Sequence, residues 1–94
     1  MDNIKVEMIL AERKERYGEY STTALIAQQL KGMMHEAPSW HMLTASQREG
    51  LEMIQHKIAR IVNGDPSYLD SFVDIIGYAK LIVEEMEKKH GTTK

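Results

Sequence analysis

The sequence predicts an all-α fold: a compact bundle of about four helices with a long, two-sided apolar C-terminal helix. Apolar residues recur every three or four positions in four segments, and glycines or capping residues separate those segments. No segment shows the convincing alternation of apolar and polar residues that is typical of a strand. The chain has 94 residues, which predicts a single domain over residues 1–94. A domain of this size buries a smaller share of its surface than a large domain does, so we expect it to form an oligomer.

The first two helices are predicted from the residues at their ends. Helix one is expected from about Asn3 to Tyr17, because Gly18 stands where a left-handed residue ends a helix. Ser21 is a good N-cap, and it predicts a second helix that reaches about His35. A loop with the sequence EAPSWHML follows.

The third helix is predicted from Thr44 to the Asn63-Gly64 pair. Thr44 and Gln47 have the spacing of a capping box, in which each side chain bonds the other residue's backbone. One face of this helix is expected in the core, since its apolar residues are Leu51, Ile54, Ile58 and Ile61.

The fourth helix is predicted to begin at Asp65, as its N-cap, with Pro66 at its first position, and to reach about Lys89. Its apolar residues form two stripes, Leu69, Phe72, Ile76, Ala79, Val83 and Met86 on one side and Tyr68, Ile75, Tyr78 and Ile82 on the other. A helix that is apolar on two sides lies between two neighbours, so we expect it at the centre of the domain or of a dimer. Residues 90–94 are predicted to fray.

Composition and charge narrow the classes of partner. The formal net charge is −2, so general binding to duplex nucleic acid is not expected. No apolar run approaches the length of about 20 residues that a membrane span requires, and the charged N-terminus does not resemble a signal peptide. The chain has no cysteine, which fits a reducing compartment. We therefore expect a cytoplasmic protein with no membrane partner.

Acidic side chains on the last two helices form a candidate metal site. Pairs three or four residues apart share a helix face, and antiparallel neighbouring helices could turn such pairs toward each other. The candidate ligands are Glu49, Glu52, Asp70 and Asp74. Carboxylates from two helices can hold Mg²⁺ against the phosphates of a substrate. As alternatives, Asp74 pairs with Lys57 or Arg60 without any metal, and Glu49 and Glu52 are solvated.

Basic and aromatic residues form a second candidate site, for a phosphate-bearing ligand. Arg16 could bind a phosphate while Tyr17 or Tyr20 stacks on a base, with Lys31 contributing from the second helix. The further candidate ligand-binding residues are Trp40, Lys57 and Arg60. As alternatives, the cations that end the first helix serve its dipole, and Trp40 covers the core or anchors an interface.

Three stretches of the chain carry a resemblance to a known family: ILAERKERYGEY, the segment from Ala24 to Met34, and LTASQREGLEMIQHKIARIVNGDPSYLDSFVDIIGYAKLI. Their shared residues are Arg13 or Arg16 before Tyr17-Gly18, then Lys57, Arg60, Ile61, Asp70, Asp74, Ile75, Gly77, Tyr78 and Ala79. The pattern resembles an uncharacterised family of small helical phage and prophage proteins. That resemblance implies a phage protein in an infected bacterial host. Such a protein would gain from binding a signalling nucleotide and withholding it from host defence, and this use requires no cofactor.

A more distant likeness is to the all-α nucleoside triphosphate pyrophosphohydrolases of the MazG type. Glu49-Gly-Leu-Glu52 is similar to their E-x-x-E motif. Their second motif, E-x-x-D, has Ser71 here in place of glutamate before Asp74, and Asp70 could substitute from one turn earlier. The likeness implies a Mg²⁺-dependent enzyme as the alternative to a binding protein. A third expectation is a helical protein that inhibits a host factor through helix packing.

Overall fold

The computed structural model describes the backbone of residues 2–90 and the side chains of residues 5–88. The helices are α1 (Asp2–Tyr17), α2 (Tyr20–His35), α3 (Ala45–Asn63) and α4 (Leu69–His90), with one 3₁₀ turn at Trp40–Met42. No strand occurs within the described range, so the prediction of an all-α bundle of four helices is confirmed. Of the tail predicted to fray, His90 ends α4 and residues 91–94 lie outside the described residues.

Helix α2 begins one turn of the chain after α1, at Tyr20, which is earlier than the sequence predicts. Gly18 has a φ of 81°, the left-handed conformation expected of it. Glu19, and not Ser21, is the N-cap of α2, and its side chain makes no capping bond. The prediction for Ser21 is therefore wrong. The chain turns at Gly18, and the Asn63 amide donates to the Glu19 carbonyl at 3.2 Å. These two features start the helix before Ser21.

The start of α3 confirms the capping box. The Thr44 hydroxyl accepts a bond of 3.1 Å from the Gln47 backbone N–H, and the Thr44 N–H donates to the Gln47 side chain at 2.9 Å. The helix ends at Asn63 as predicted, and the Gly64 N–H closes it by donating to the Arg60 carbonyl. Two backbone donors at the start of α3 are thus satisfied locally.

The α3–α4 connection differs from its prediction. Asp65 and Pro66 lie in a turn, and α4 begins only at Leu69. The Asp65 carboxylate accepts from the Ser67 N–H at 2.9 Å, while the Asp65 N–H donates to the Arg16 carbonyl at 2.6 Å. The prediction that Asp65 caps the helix and Pro66 starts it is wrong, because this bond to α1 holds the segment as a tertiary turn.

Helices α3 and α4 are neighbours, and one side of α4 faces α3. A methyl group added at Gly50 of α3 would lie 2.5 Å from the Ile82 side chain, so the glycine permits the two helices to approach closely. The half-buried stripe of α4 is Ile75, Tyr78 and Ile82, and Tyr68, which is also half-buried, directly precedes the helix. The exposed stripe is Leu69, Phe72, Ile76, Ala79, Val83 and Met86. Within this chain, α4 is therefore packed on one of its two apolar sides.

The buried core of the described residues is small. Its apolar members are Ala27, Trp40 and Ala59, and the polar side chains of Thr23, Gln55 and Ser71 are also buried. The two alanines are small side chains, so they contribute little apolar area to this core. Within the described residues, no helix is long and apolar enough to cross a bilayer.

Candidate functional site

The end of α1 is locked to the end of α3 by backbone contacts. The Tyr17 carbonyl accepts from the Asn63 amide at 2.9 Å and from the Thr23 hydroxyl at 3.0 Å. Gly64 lies so close to the backbone of Arg16 and Tyr17 that a methyl group there would overlap both. The Tyr17-Gly18 and Asn63-Gly64 pairs therefore have a structural role. The Asn63 amide binds the Tyr17 carbonyl, and the absence of a side chain at Gly18 and Gly64 lets the two segments approach closely.

Two tyrosines and two arginines form a layered cluster around this corner. The Arg60 guanidinium lies 4.3 Å from the Tyr17 ring centre, and the Arg16 guanidinium lies 4.8 Å from that of Tyr68. The two rings meet edge to face, with centroids 6.1 Å apart. Arg16 also pairs with Glu12 at 3.2 Å. Cation–π and edge-to-face contacts of this kind hold the arginine heads in place without neutralising their charge.

A cleft of about 290 Å³ opens beside the cluster, between α1, the start of α2 and α3. Its charged and aromatic lining consists of Arg13, Lys14, Tyr17, Glu19, Tyr20, His56 and Arg60. Lys14 pairs with Glu19 at 2.8 Å, and this hydrogen bond raises the pKa of Lys14. Arg13 and Arg60 form no ion pair with a carboxylate in the described part of the chain. The cleft therefore has an excess of positive charge.

The pKa of His56, which lines this cleft, is lowered by its surroundings. Its ring is half-buried, and that burial lowers its pKa below the usual value of 6.5. The cations of Arg60, Lys31 and Lys57, in that order, lower the pKa further. Since a neighbouring positive charge disfavours the imidazolium, His56 is neutral at pH 7. His56 therefore adds no positive charge to the cleft at pH 7.

Of the six predicted ligand-binding residues, Tyr17 and Arg60 line the cleft. Lys31 and Lys57 do not line it, although their positive charges lower the pKa of His56. Lys57 also pairs with Asp74 at 3.0 Å, which was one of the two alternatives for that aspartate. Arg16 does not line the cleft, because its guanidinium covers Tyr68 and pairs with Glu12.

Arg13 and His56 line the cleft but were not among the predicted ligand-binding residues, and the helical repeat explains their position. Arg13 lies one turn before Tyr17, and His56 one turn before Arg60, so each shares a face with a cleft residue. Arg16 is adjacent to Tyr17 in sequence and therefore projects about 100° away around the helix. Tyr20 is 80% exposed and borders the cleft, whereas the Tyr17 ring is covered by Arg60. Tyr20 is thus the ring that is available for stacking.

Trp40 belongs to a different part of the molecule. It is 9% exposed and stacks on His35 with ring centroids 4.8 Å apart. Arg48 fixes the segment by donating to the carbonyls of Trp40 and His41 at 3.3 and 2.9 Å. The surrounding groove of about 610 Å³ is lined by Leu30, Met33, Met34, Leu43, Leu51, Ile54, Gln55 and Ile58. Trp40 therefore covers the core, which was the alternative to a ligand-binding role.

The four predicted metal ligands have different surroundings in the structure. Asp74 pairs with Lys57, and Glu52 pairs with His35 at 2.5 Å. Asp70 accepts a bond of 3.2 Å from the Tyr68 hydroxyl, and Glu49 lines a pocket between α3 and α4. The described residues include no group of three or more histidines and acids that could hold a metal ion. The arrangement does not fit a Mg²⁺ site of the kind that the pyrophosphohydrolase likeness implies.

Fold and site together define a small all-α protein with a cationic cleft. Residues 4–87 match the family described as "Domain of unknown function (DUF6378)", and the chain belongs to that family. Neither the curated proteins nor the solved structures include a match to this chain.

Proposed function

We propose that this protein binds a small phosphate-bearing ligand, a nucleotide, in the cleft between α1, α2 and α3. The observation that supports this proposal is the convergence of Arg13 and Arg60 on a cavity bordered by tyrosines. Neither arginine pairs with a carboxylate among the residues that the structure describes. An arginine guanidinium can bind a phosphate through two parallel hydrogen bonds. Two such groups on different helices would hold a phosphate from two directions.

The volume of the cleft indicates the size of the nucleotide. Ligand pockets in proteins range from about 300 to 1,000 Å³, and this cleft lies at the lower limit of that range. A mononucleotide therefore suits it better than a dinucleotide. The base would stack on the exposed ring of Tyr20, because one face of Tyr17 is occupied by Arg60.

The arrangement of the acids favours binding over hydrolysis. Splitting a nucleotide with metal assistance requires several carboxylates within about half an ångström of their working positions. Asp74 and Glu52 instead pair with Lys57 and His35. A binding protein needs only the cations and a stacking surface, and both border one cleft here.

The resemblance to phage proteins extends the proposal to a biological use. A protein that binds a signalling nucleotide without cleaving it lowers the free concentration of that signal. In an infected bacterium this would withhold the signal from host defence. The use demands tight binding and an abundant protein, and it demands no catalytic residue.

Calorimetric titration with nucleoside mono-, di- and triphosphates and cyclic dinucleotides tests the proposal, with Arg13→Gln as the key variant. We expect a mononucleotide to bind, and Arg13→Gln to weaken its affinity by about tenfold or more, because a charged hydrogen bond contributes about 1.5–3 kcal/mol. Lys80→Gln is the matched control: it removes the same charge from an exposed side chain of α4 that is far along the chain from the cleft residues.

Two results would contradict the proposal. Equal weakening by Arg13→Gln and Lys80→Gln would show that binding depends on net charge and not on the cleft. Recovery of a cleaved nucleotide after the bound protein is denatured would show a hydrolase instead. Recovery of the intact nucleotide is the expected result.

A further inference from the structure

One face of α4 has the sequence pattern of a coiled-coil seam. Its residues follow the alternating spacing of three and four that defines the a and d positions of a heptad repeat. We call this face the α4 seam, and it consists of Leu69, Phe72, Ile76, Ala79, Val83 and Met86. All six residues are exposed in the single chain. A strict heptad stripe of this length is more specific than scattered surface apolar residues, because it matches another helix along its whole length.

The surface area of the chain is larger than that of a compact monomer of the same mass. The chain exposes 7109 Å², whereas a folded monomer of 10.8 kDa exposes about 5,500 Å². The excess of about 1,600 Å² is twice the area of about 800 Å² that each partner buries in a standard interface. It falls in the range of obligate homodimers, which bury about 1,000–2,500 Å² per partner.

The dimensions of the chain agree with its surface area. The radius of gyration is 16.2 Å, compared with about 12 Å for a globular chain of this length. The principal extents of 50 × 28 × 26 Å show an elongated body. A second copy packed along this body would restore the compactness that one chain lacks.

We propose that the α4 seam is a dimer interface, on which α4 of a second copy packs in antiparallel orientation. Antiparallel pairing about the middle of the seam would set Ile76 against the partner's Ala79, so that a large side chain meets a small one in the central layers. Phe72 would then lie against the partner's Val83. Parallel pairing would set Ala79 against the partner's Ala79 and leave a gap in the middle, which costs stability.

The proposal accounts for the two apolar sides of α4. The half-buried stripe with Ile75 and Ile82 faces α3 of the same chain, where Gly50 permits close approach. The α4 seam would face the second copy. Two α3–α4 pairs would then form a four-helix bundle at the centre of the dimer, and each α4 would lie between two helices.

Analytical ultracentrifugation tests the interface, with Ile76→Glu as the disruptive variant. We expect the unmodified protein to be a dimer and Ile76→Glu to raise the dissociation constant on the order of 100-fold, because each dimer would bury two unpaired charges. Met33→Glu is the matched control, since Met33 is 73% exposed and Ile76 is 68% exposed. Met33 borders the groove at Trp40, so this variant should remain a dimer.

The control also identifies the competing interface. If Met33→Glu dissociates the protein and Ile76→Glu does not, the groove is the interface and the proposal is wrong. An unmodified protein that is monomeric at all concentrations would also overturn it.

Disulfide cross-linking tests the orientation independently of whether Ile76→Glu folds. The chain has no cysteine, so Leu69→Cys and Met86→Cys each introduce a single thiol. Antiparallel pairing would set Leu69 against the partner's Met86, whereas the two copies of Leu69 would lie about 26 Å apart along the helix. We expect a disulfide dimer when the two variants are mixed and oxidised. A disulfide dimer of either variant alone, or none in the mixture, would contradict antiparallel pairing.

Discussion

Replacement of Asn63 by alanine should destabilise the fold more than any ordinary surface substitution. The Asn63 amide donates to the carbonyls of Tyr17 and Glu19 and contacts the Thr23 hydroxyl, at 2.9, 3.2 and 2.9 Å. It thereby ties the end of α3 to the corner between α1 and α2. Three acceptors share two amide hydrogens, so the substitution removes the equivalent of two hydrogen bonds.

The magnitude follows from those bonds. Each contributes about 0.5–1.5 kcal/mol net. The Tyr17 carbonyl keeps its bond from the Thr23 hydroxyl, and the Glu19 carbonyl keeps its bond from the Thr23 N–H, so neither acceptor is left without a donor. We therefore expect Asn63→Ala to lower the free energy of unfolding by about 1–3 kcal/mol. A chain of this length has a total stability of about 5–14 kcal/mol, so the loss is a large fraction of it.

Urea denaturation followed by circular dichroism measures this loss, with the unmodified protein and the variant compared at the same protein concentration. Asn63→Asp is a second variant with the same shape. Its carboxylate cannot donate to the two carbonyls and would repel them, so it should destabilise at least as much as Asn63→Ala. A loss below about 0.5 kcal/mol for both variants, within the range of ordinary surface substitutions, would refute the role of this amide.

Two further predictions concern the corner and the cleft. Gly18→Ala should lower stability by about 2 kcal/mol or more, because its φ of 81° disfavours a side chain and the methyl group would lie 2.5 Å from Asn63. Gly32→Ala, in open space on α2, should instead stabilise by about 0.5–1 kcal/mol; equal effects in thermal melts would contradict this. The lowered pKa of His56 means that the unfolded chain binds more protons below pH 6.5. The contribution of the neutral His56 side chain to the free energy of unfolding should therefore be complete above pH 6.5 and decline as the pH falls. The substitution His56→Gln should remove that decline. Unfolding curves that change equally between pH 7.5 and pH 5.5 in both proteins would contradict this prediction.

Local signals in the sequence were enough to predict the helices. The capping box at Thr44 and Gln47, the left-handed Gly18 and the end of α3 at Asn63 depend on interactions within a few residues. Such interactions are encoded by spacing along the chain. The pairing of α3 with α4 also follows, because a short connection brings consecutive helices together.

The start of α4 shows where local signals fail. Asp65 and Pro66 have the composition of a helix start, yet the Asp65 N–H bonds the Arg16 carbonyl 49 positions earlier in the chain. A bond between distant segments overrides a local preference of about 1 kcal/mol, the typical contribution of a capping residue. The same reasoning applies to Ser21, which a turn tied to Asn63 displaces from the N-cap.

The candidate site was decided mainly by the tertiary structure. The sequence alone indicated a basic and aromatic ligand site and placed Tyr17 and Arg60 in it, but Arg13 and Arg16 could be distinguished only by which face of α1 meets α3. The acids on α3 and α4 have a spacing compatible with a metal site, and only the packed helices show Lys57 and His35 beside them. Spacing along a helix determines which residues share a face. The residues that pack against that face come from segments far apart in the chain, and they determine whether a charged side chain is paired or is available to a ligand.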